Sequence, residues 1–223
     1  MAALEIIEKA TGPDPVATLI ILHGLGADGN DFVPIAQELD LAQVGAVRFV
    51  FPHAPMMPVT INNGYRMRAW YDILGWDLPV REDEGGLRQS TAAVEELLAR
   101  EKQRGIPAHR IVLAGFSQGC AMALMAGVRH KERLAGIAGL SGYLPLAQQT
   151  ASERSDANTL TPIFMGHGQQ DNVVAIGRGK ASRDMLLALG WQVDWHDYPM
   201  AHSVCMEEIQ DLNGWLLRVL AKA

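Results

Sequence analysis

Residues 110–127 read RIVLAGFSQGCAMALMAG, which is an apolar run, the pattern Gly-x-Ser-x-Gly, and then a stretch of small and apolar residues. This order predicts a buried strand, a sharp turn and a helix. Ser117 falls at the turn, where Gly115 and Gly119 remove the side chains that would clash with the neighbouring strand and helix. Such a corner exposes the serine beside the free N–H groups of a helix N-terminus. Ser117 is therefore the candidate nucleophile, and the alternative is an ordinary turn whose serine caps the helix.

Outside this stretch, apolar runs bounded by turn residues alternate with stretches of helical period. Strands are predicted at 17–22, 47–51, 111–114, 135–140, 162–165 and 191–198, and helices at 31–39, 86–104, 118–130, 175–189 and 203–220. This alternation predicts an α/β fold with a mostly parallel central sheet and helices on both of its faces. No repeat or linker divides the sequence, so we expect residues 1–223 to form one domain without a large separate lid domain.

The composition argues against several classes of function. The 223 residues are 48% apolar and carry a formal net charge of −6. A nucleic-acid partner is not expected, because phosphate binding requires clustered Lys and Arg. The two separated cysteines, Cys120 and Cys205, match neither a zinc-site pattern nor a disulfide framework and fit a reducing compartment. The N-terminus is polar and no apolar run reaches the roughly 18 residues that a membrane span needs, so we expect a cytoplasmic protein without a membrane span.

Residues 53–84 depart from the alternation of strands and helices. They include Pro, Gly, Asn, Met and four aromatic residues, but no convincing core helix. A loop that long in a compact domain is usually functional or disordered, and its aromatic residues argue against disorder. We therefore expect the segment to form a substrate groove, with Leu74 and Trp76 among its walls. The alternative is a surface excursion held down by its own aromatic residues.

A serine nucleophile needs a general base, and in folds with this strand-to-helix turn the order along the chain is serine, acid, histidine. The two histidines that come late enough are His196 and His202. His196 falls inside a predicted strand, on a face that reads as polar and structural. His202 follows Pro199 in a short loop between the last strand and the last helix, where a base can project towards the serine. His202 is therefore the favoured base.

The favoured acid is Asp171, in the turn after the predicted strand 162–165. An acid at the carboxyl end of that strand can hold the histidine in one tautomer and stabilise its charged form. The alternative is an aspartate that only caps the following helix. Asp184, Asp194 and Asp197 are weaker candidates, because they fall inside a predicted helix or strand.

The turn after the first predicted buried strand is rich in glycine. Gly24, Gly26 and Gly29 match Gly-x-Gly-x-x-Gly, which makes a dinucleotide-binding protein the main alternative from another class. The acidic residue that such a site needs at the end of the second strand is missing. In a hydrolase, a backbone N–H of this turn and that of the residue after the nucleophile form the oxyanion hole. We assign these two donors to Leu25 and Gln118.

Six blocks of the sequence, in this order, resemble those of the carboxylesterase and acyl-protein thioesterase family of small α/β-hydrolases, which includes lysophospholipases. The blocks are LHGLGADG at 22–29, FPHAP at 51–55, MRAWYD at 67–72, GFSQG at 115–119, GHGQQD at 166–171 and MAH at 200–202. Together they imply membership over nearly the full length. The family often has Trp-Phe-Asp where this chain has Trp70, Tyr71 and Asp72, a departure that puts one extra hydroxyl near the pocket.

The resemblance implies an α/β-hydrolase fold and hydrolysis of a small-molecule ester or thioester, with no cofactor and no metal. It implies the catalytic residues Ser117, Asp171 and His202, and a substrate groove formed partly by Trp70. It is also compatible with a homodimer. Both carboxylesterases and acyl-protein thioesterases carry these blocks, so the acyl group stays open. Our expectation is a serine carboxylesterase for short to medium acyl chains, with an acyl-protein thioesterase or lysophospholipase as the alternative.

Overall fold

The computed structural model of the protein describes residues 4–75 and 81–221. Nine strands lie in this part of the chain: β1 Ile6–Ala10, β2 Ala17–Leu22, β3 Val47–Pro52, β4 Met56–Val59, β5 Tyr65–Arg68, β6 Ile111–Phe116, β7 Gly136–Leu140, β8 Ile163–Gly168 and β9 Val193–Tyr198. The α-helices are α1 Val33–Glu38, α2 Glu84–Gln103, α3 Gln118–Arg129, α4 Ala147–Glu153, α5 Ile176–Ala188 and α6 Met206–Val219. The main elements thus follow the alternation that the sequence predicts.

Seven strands form the central sheet in the order β1-β3-β2-β6-β7-β8-β9. β1 pairs with β3 in the antiparallel sense, and every other pair in this sheet is parallel. Parallel strands end at a common edge, so the loops after β6, β8 and β9 meet at one side of the sheet. This confirms the predicted mostly parallel sheet and fixes where functional side chains can converge.

Helices cover both faces of the sheet. Apolar residues of α2, α3 and α5 pack on one face, and α3 is buried along almost its whole length. Residues of α1 and α6, including Trp215, pack on the other face. Strands covered on both sides lose their exposed surface, which is why β2 consists entirely of buried residues. The predicted two-sided cover is confirmed.

Four elements of the structure, β1, β4, β5 and α4, are not predicted from the sequence. β1 is an edge strand with a polar half, and the β4–β5 hairpin pairs only with itself. α4 begins after Leu146, which has a positive φ of 48° and no side-chain cap. Short elements without caps or clear periodicity give little signal in a sequence. No helix in residues 4–75 and 81–221 combines the length and apolar character that a membrane span requires.

Candidate active site

Ser117 lies at the corner between β6 and α3, with φ 56° and ψ −116°. Its N–H donates to Leu140 O at 2.8 Å, which ties the corner to the neighbouring strand. A side chain at Gly119 would place Cβ 2.1 Å from Leu22 O, and one at Gly115 would place it 2.2 Å from Gly119 O. The two glycines therefore allow the tight approach of strand and helix that holds Ser117 in a strained conformation.

His202 connects Ser117 to Asp171. Its Nε2 lies 2.9 Å from Ser117 Oγ, and its Nδ1 lies 2.7 Å from Asp171 Oδ2. Because a carboxylate only accepts, Nδ1 carries the proton in the neutral ring and Nε2 is left to accept from the serine hydroxyl. The ring also packs against Phe116, with centroids 4.8 Å apart. The structure thus brings together three residues that the sequence separates widely.

The Asp171 carboxylate is fully buried and held by backbone N–H groups. Its Oδ1 accepts from the N–H groups of Val173 and Val174, both at 2.8 Å. His167 Nε2 lies 3.5 Å from Oδ2 but donates instead to Val174 O at 2.8 Å. Burial lowers the pKa of His167, which keeps that ring neutral beside the carboxylate. Oδ2 is therefore left to orient His202.

His196, the alternative base, contacts a different part of the molecule. Its Nε2 lies 2.9 Å from Asp194 Oδ1, and its Nδ1 lies 3.3 Å from Asp211 Oδ2. Its ring stacks on Phe164 at 5.1 Å. Both of its nitrogens face carboxylates, so neither is available to Ser117 in this arrangement.

The two expected oxyanion donors flank Ser117. Leu25 borders the space beside Ser117, and its N–H has no acceptor among the described residues. Gln118 is the first residue of α3, a position whose N–H has no partner within the helix. The turn that carries Leu25 is fixed by His23, whose Nε2 accepts from Ala54 N at 2.9 Å and whose Nδ1 lies 2.7 Å from Gly24 O. Both backbone donors are thus held on fixed turns.

The Gln118 side chain has a further contact that the sequence does not reveal. Its Oε1 accepts from Trp70 N at 2.8 Å, and its Nε2 donates to Tyr71 O at 2.7 Å. The residue after Ser117 therefore holds Trp70 and Tyr71 against α3. No local pattern predicts this contact, because the partners lie far apart in the sequence.

Trp70 is not a wall of the groove, which corrects the expectation from the sequence. Its side chain is 1% exposed, and its Nε1 donates to His23 O at 2.9 Å. An indole that is fully enclosed and hydrogen-bonded is a core residue. Its neighbour Tyr71 reaches the cavity beside Ser117 instead.

Two cavities meet at Ser117. The first, here called the Tyr143 cavity, has a volume of about 340 Å³ and is bordered by residues that include Leu25, Ile73, Leu74, Ser117, Tyr143 and Arg178. The second, here called the Phe116 cavity, has a volume of about 440 Å³ and is bordered by residues that include Phe32, Ile35, Phe116, Ser117, His202 and Val204. The side chain of Leu74 thus borders the first cavity, as the sequence leads us to expect. Trp76 lies outside the described residues.

The glycine-rich turn packs on β3 and carries Leu25 to the cavity beside Ser117. A side chain at Gly29 would come 2.6 Å from Phe51 O, so this glycine serves the packing of the turn on β3. The turn leads into a short 3-10 helix and the six-residue α1. Within the described part of the chain, no group of three or more His, Cys, Asp or Glu residues could hold a metal ion.

Comparisons with known proteins identify the family of the chain. A phospholipase/carboxylesterase family model matches residues 2–220. Acyl-protein thioesterase 1 of Yarrowia lipolytica is 42% identical over 205 residues, which cover 90% of each chain. Acyl-protein thioesterase 1 of Neurospora crassa is 41% identical over 215 residues, which cover 92% of this chain and 88% of that one.

Solved structures give the same result for the fold. Arabidopsis thaliana SOBER1 superimposes with a TM-score of 0.87 at 28% identity, covering 92% of this chain and 99% of that one. Acyl-protein thioesterase 2 of Zea mays superimposes with a TM-score of 0.84 at 28% identity, covering 96% and 99%. The fold is that of an α/β-hydrolase, and the dinucleotide-binding alternative is set aside. The protein is a carboxylic ester hydrolase, and the chain belongs to the phospholipase/carboxylesterase family.

Proposed function

We propose that the protein hydrolyses acyl thioesters and carboxylic esters through an acyl-enzyme on Ser117. The observation that carries this proposal is the pair of contacts of His202, with Ser117 Oγ at 2.9 Å and with Asp171 Oδ2 at 2.7 Å. In this order, the imidazole takes the proton of the hydroxyl, and the buried carboxylate orients the imidazole and stabilises its charged form, which activates the serine at neutral pH.

In the first step, Ser117 Oγ bonds to the acyl carbon while His202 Nε2 takes the hydroxyl proton. The carbonyl oxygen becomes an oxyanion and accepts from the Leu25 and Gln118 N–H groups, each worth roughly 3 kcal/mol in the transition state. The bond to the leaving sulfur or oxygen then breaks, and His202 gives its proton to that atom. Water repeats the sequence on the acyl-enzyme and releases the acid.

The two cavities take different parts of the substrate in this mechanism. His202 must reach the leaving atom, and its side chain borders the Phe116 cavity. Among the described residues, it is not part of the border of the Tyr143 cavity. We therefore assign the leaving group to the Phe116 cavity and the acyl chain to the Tyr143 cavity.

The relatives favour a thioester as the substrate over a short-chain ester. The acyl-protein thioesterases 1 of Yarrowia lipolytica and Neurospora crassa are both more than 40% identical to this chain. The alternative of the sequence analysis, an acyl-protein thioesterase with the same catalytic residues, thus has more support than a carboxylesterase for short chains. A cytoplasmic location and a homodimer stay predictions.

Kinetics on matched substrates test the proposal. We expect the parent to hydrolyse S-octanoyl and S-palmitoyl cysteine peptides with a higher kcat/KM than a butyrate ester. Ser117→Ala should lower kcat on all of them by roughly 10⁴- to 10⁶-fold without unfolding the protein, because the covalent route is lost. Activity of Ser117→Ala within tenfold of the parent would contradict the serine mechanism. If the parent cleaved only the butyrate ester, the protein would be a short-chain carboxylesterase and not a thioesterase.

A further inference from the structure

The end of the Tyr143 cavity contains a pair of tyrosines in contact. Tyr71 is 3% exposed, and its hydroxyl lies 2.9 Å from the hydroxyl of Tyr143. Burial raises the pKa of Tyr71 well above the usual value, so its hydroxyl stays neutral and keeps the contact. Tyr143 is thereby held in one orientation at the border of the cavity.

Arg178 lies on the face of this fixed ring. Its guanidinium carbon is 3.6 Å from the Tyr143 ring centroid, and the residue is half-buried in α5. A guanidinium that stacks flat on an aromatic ring keeps its N–H donors at its edges, free to bind a ligand in the same plane. The Arg178 guanidinium forms no hydrogen bond and no ion pair within residues 4–75 and 81–221, although its charge acts on Glu82.

The carboxylates around this cavity are engaged elsewhere. Asp72 Oδ1 accepts from Thr60 N at 2.7 Å. Asp83 accepts from Asp72 N and Gly86 N, both at 2.9 Å. Each carboxylate thus holds a turn of the backbone and leaves the Arg178 donors without a protein acceptor on the described part of the chain.

Glu82 is the remaining carboxylate at the border. Both of its oxygens lie near Leu146 N, at 3.2 and 3.1 Å. Burial raises the pKa of Glu82, while the Leu146 N–H and the charge of Arg178 oppose that rise. Glu82 thus holds the Leu146 turn and forms no ion pair with Arg178 on the described part of the chain.

Arg178 and Ser117 border the same cavity, and under the proposed function that cavity holds the acyl chain. We propose that Arg178, oriented by Tyr143 and Tyr71, binds a carboxylate at the far end of the acyl chain. The preferred acyl groups are then those of dicarboxylic acids, esterified at one end and free at the other. This inference rests on the proposed function, because it uses the assignment of the acyl chain to the Tyr143 cavity.

The chemistry favours a carboxylate as the ligand. The two oxygens of a carboxylate match the planar fork of a guanidinium and form two parallel hydrogen bonds. Partial burial excludes the water that would otherwise solvate both charges, and so strengthens this contact. A methyl end in the same position would bury apolar atoms against the unpaired donors, which costs affinity.

Paired substrates test the inference. The substrates are 4-nitrophenyl monoesters of adipic, suberic and sebacic acids, each with its other end either free or capped as a methyl ester. For at least one chain length, we expect the parent to prefer the free acid by about 10- to 100-fold in kcat/KM. The expected difference lies mainly in KM, because in this proposal Arg178 binds the free end of the acyl chain and not the reacting carbon.

Variants of Arg178 and Tyr71 distinguish the contribution of the Arg178 charge from the contribution of its orientation. Arg178→Gln should bring the ratio of free acid to capped ester to about one or below, and Arg178→Lys should keep part of the preference because it keeps the charge. Tyr71→Phe removes only the hydroxyl that orients Tyr143, so we expect a loss of about two- to fivefold in the ratio.

Arg183→Gln is the matched control, because Arg183 lies on the same helix, stacks on Trp195 and pairs with Asp184. Its ratio should equal that of the parent, and thermal melting of each variant checks folding. A parent that shows no preference for the free acid at any chain length overturns the inference. Equal shifts in Arg178→Gln and Arg183→Gln overturn it too. The proposed function is judged separately, by whether capped esters are cleaved by the parent and not by Ser117→Ala.

Discussion

The proposed catalytic residues and the wall of the Tyr143 cavity are built in different ways. Ser117, Asp171 and His202 follow β6, β8 and β9, so the parallel sheet brings them to one edge. The cavity wall comes largely from the described residues of the 53–84 segment, which lie outside the central sheet and are attached by contacts such as those of the Gln118 side chain. The difference indicates that the chemistry depends on the sheet and the substrate preference on the segment.

The largest expected effect lies on the side of the sheet. His202→Ala should lower kcat about as much as Ser117→Ala, roughly 10⁴- to 10⁶-fold, and the double variant should be scarcely worse because the residues act as one unit. His196→Ala should change kcat by less than about threefold, since its contacts are with Asp194 and Asp211. Steady-state kinetics on one ester measure all four proteins. If His196→Ala lowered kcat more than His202→Ala, His202 at the edge of the sheet would not be the general base.

A smaller effect is expected at the contact between the two regions. Gln118→Ala keeps the backbone N–H for the oxyanion but leaves Trp70 N and Tyr71 O without partners, a cost of about 1 to 3 kcal/mol for each buried group. We expect a loss of roughly 10- to 100-fold in kcat/KM and a lower melting temperature. Gln169→Ala, which removes an exposed glutamine bonded to Asp197, is the control. If both variants behave alike, the segment does not depend on this contact.

The cavity wall should change substrate preference and leave the chemistry intact. Leu74→Ala removes an apolar side chain from the Tyr143 cavity. The ratio of kcat/KM for butyrate and octanoate esters should therefore change at least several-fold, which corresponds to about 1 to 3 kcal/mol in discrimination between the two esters. Leu160→Ala is the matched control, because Leu160 is 73% exposed and borders neither of the two cavities at Ser117. An unchanged chain-length profile in Leu74→Ala would place the acyl chain elsewhere.

The smallest expected effect on activity concerns Glu208, a buried acid near the edge of the sheet. Its expected effect is on stability. Unlike Asp171, Glu208 has no hydrogen-bond partner for either carboxylate oxygen among the described residues, and burial raises its pKa to about 8. The folded state therefore holds a proton that the unfolded chain releases near its ordinary value, so stability falls as pH rises from about 4.5 through about 8.

Glu208→Gln should remove this dependence on pH. We expect the melting temperature of the parent, relative to the variant, to decrease by roughly 5 to 15 degrees between pH 5 and pH 9. Glu207→Gln, a change at the exposed neighbouring position, should keep the slope of the parent. Parallel melting curves for the parent and Glu208→Gln would show that the Glu208 side chain does not titrate in the folded protein.

The sequence predicts most of the sheet and the arrangement at its edge, because each depends on local signals. Gly115 and Gly119 mark the corner, and Asp171 and His202 each follow a predicted strand. The cavity is less predictable. An aromatic side chain in an irregular segment gives no sign of whether it points into the core, as Trp70 does, or towards the cavity, as Tyr71 does.

The Arg178 contact has no sequence signature either. The sequence predicts that Arg178 lies in a helix. It does not predict the contact with Tyr143, which lies in the loop after β7. Such a contact depends on how distant segments pack, and a propensity or a periodicity carries no information about that.

Covalent labelling tests the central claim most directly. A fluorophosphonate probe reacts with an activated serine, loses fluoride and leaves a phosphonylated residue that mass spectrometry of the peptides can locate. We expect one adduct per chain, on Ser117, formed in step with the loss of esterase activity, and no adduct in Ser117→Ala. Labelling in His202→Ala should be slower by orders of magnitude, because the base is missing. Complete inactivation with the adduct on another residue, or full activity after Ser117 is labelled, would contradict the account.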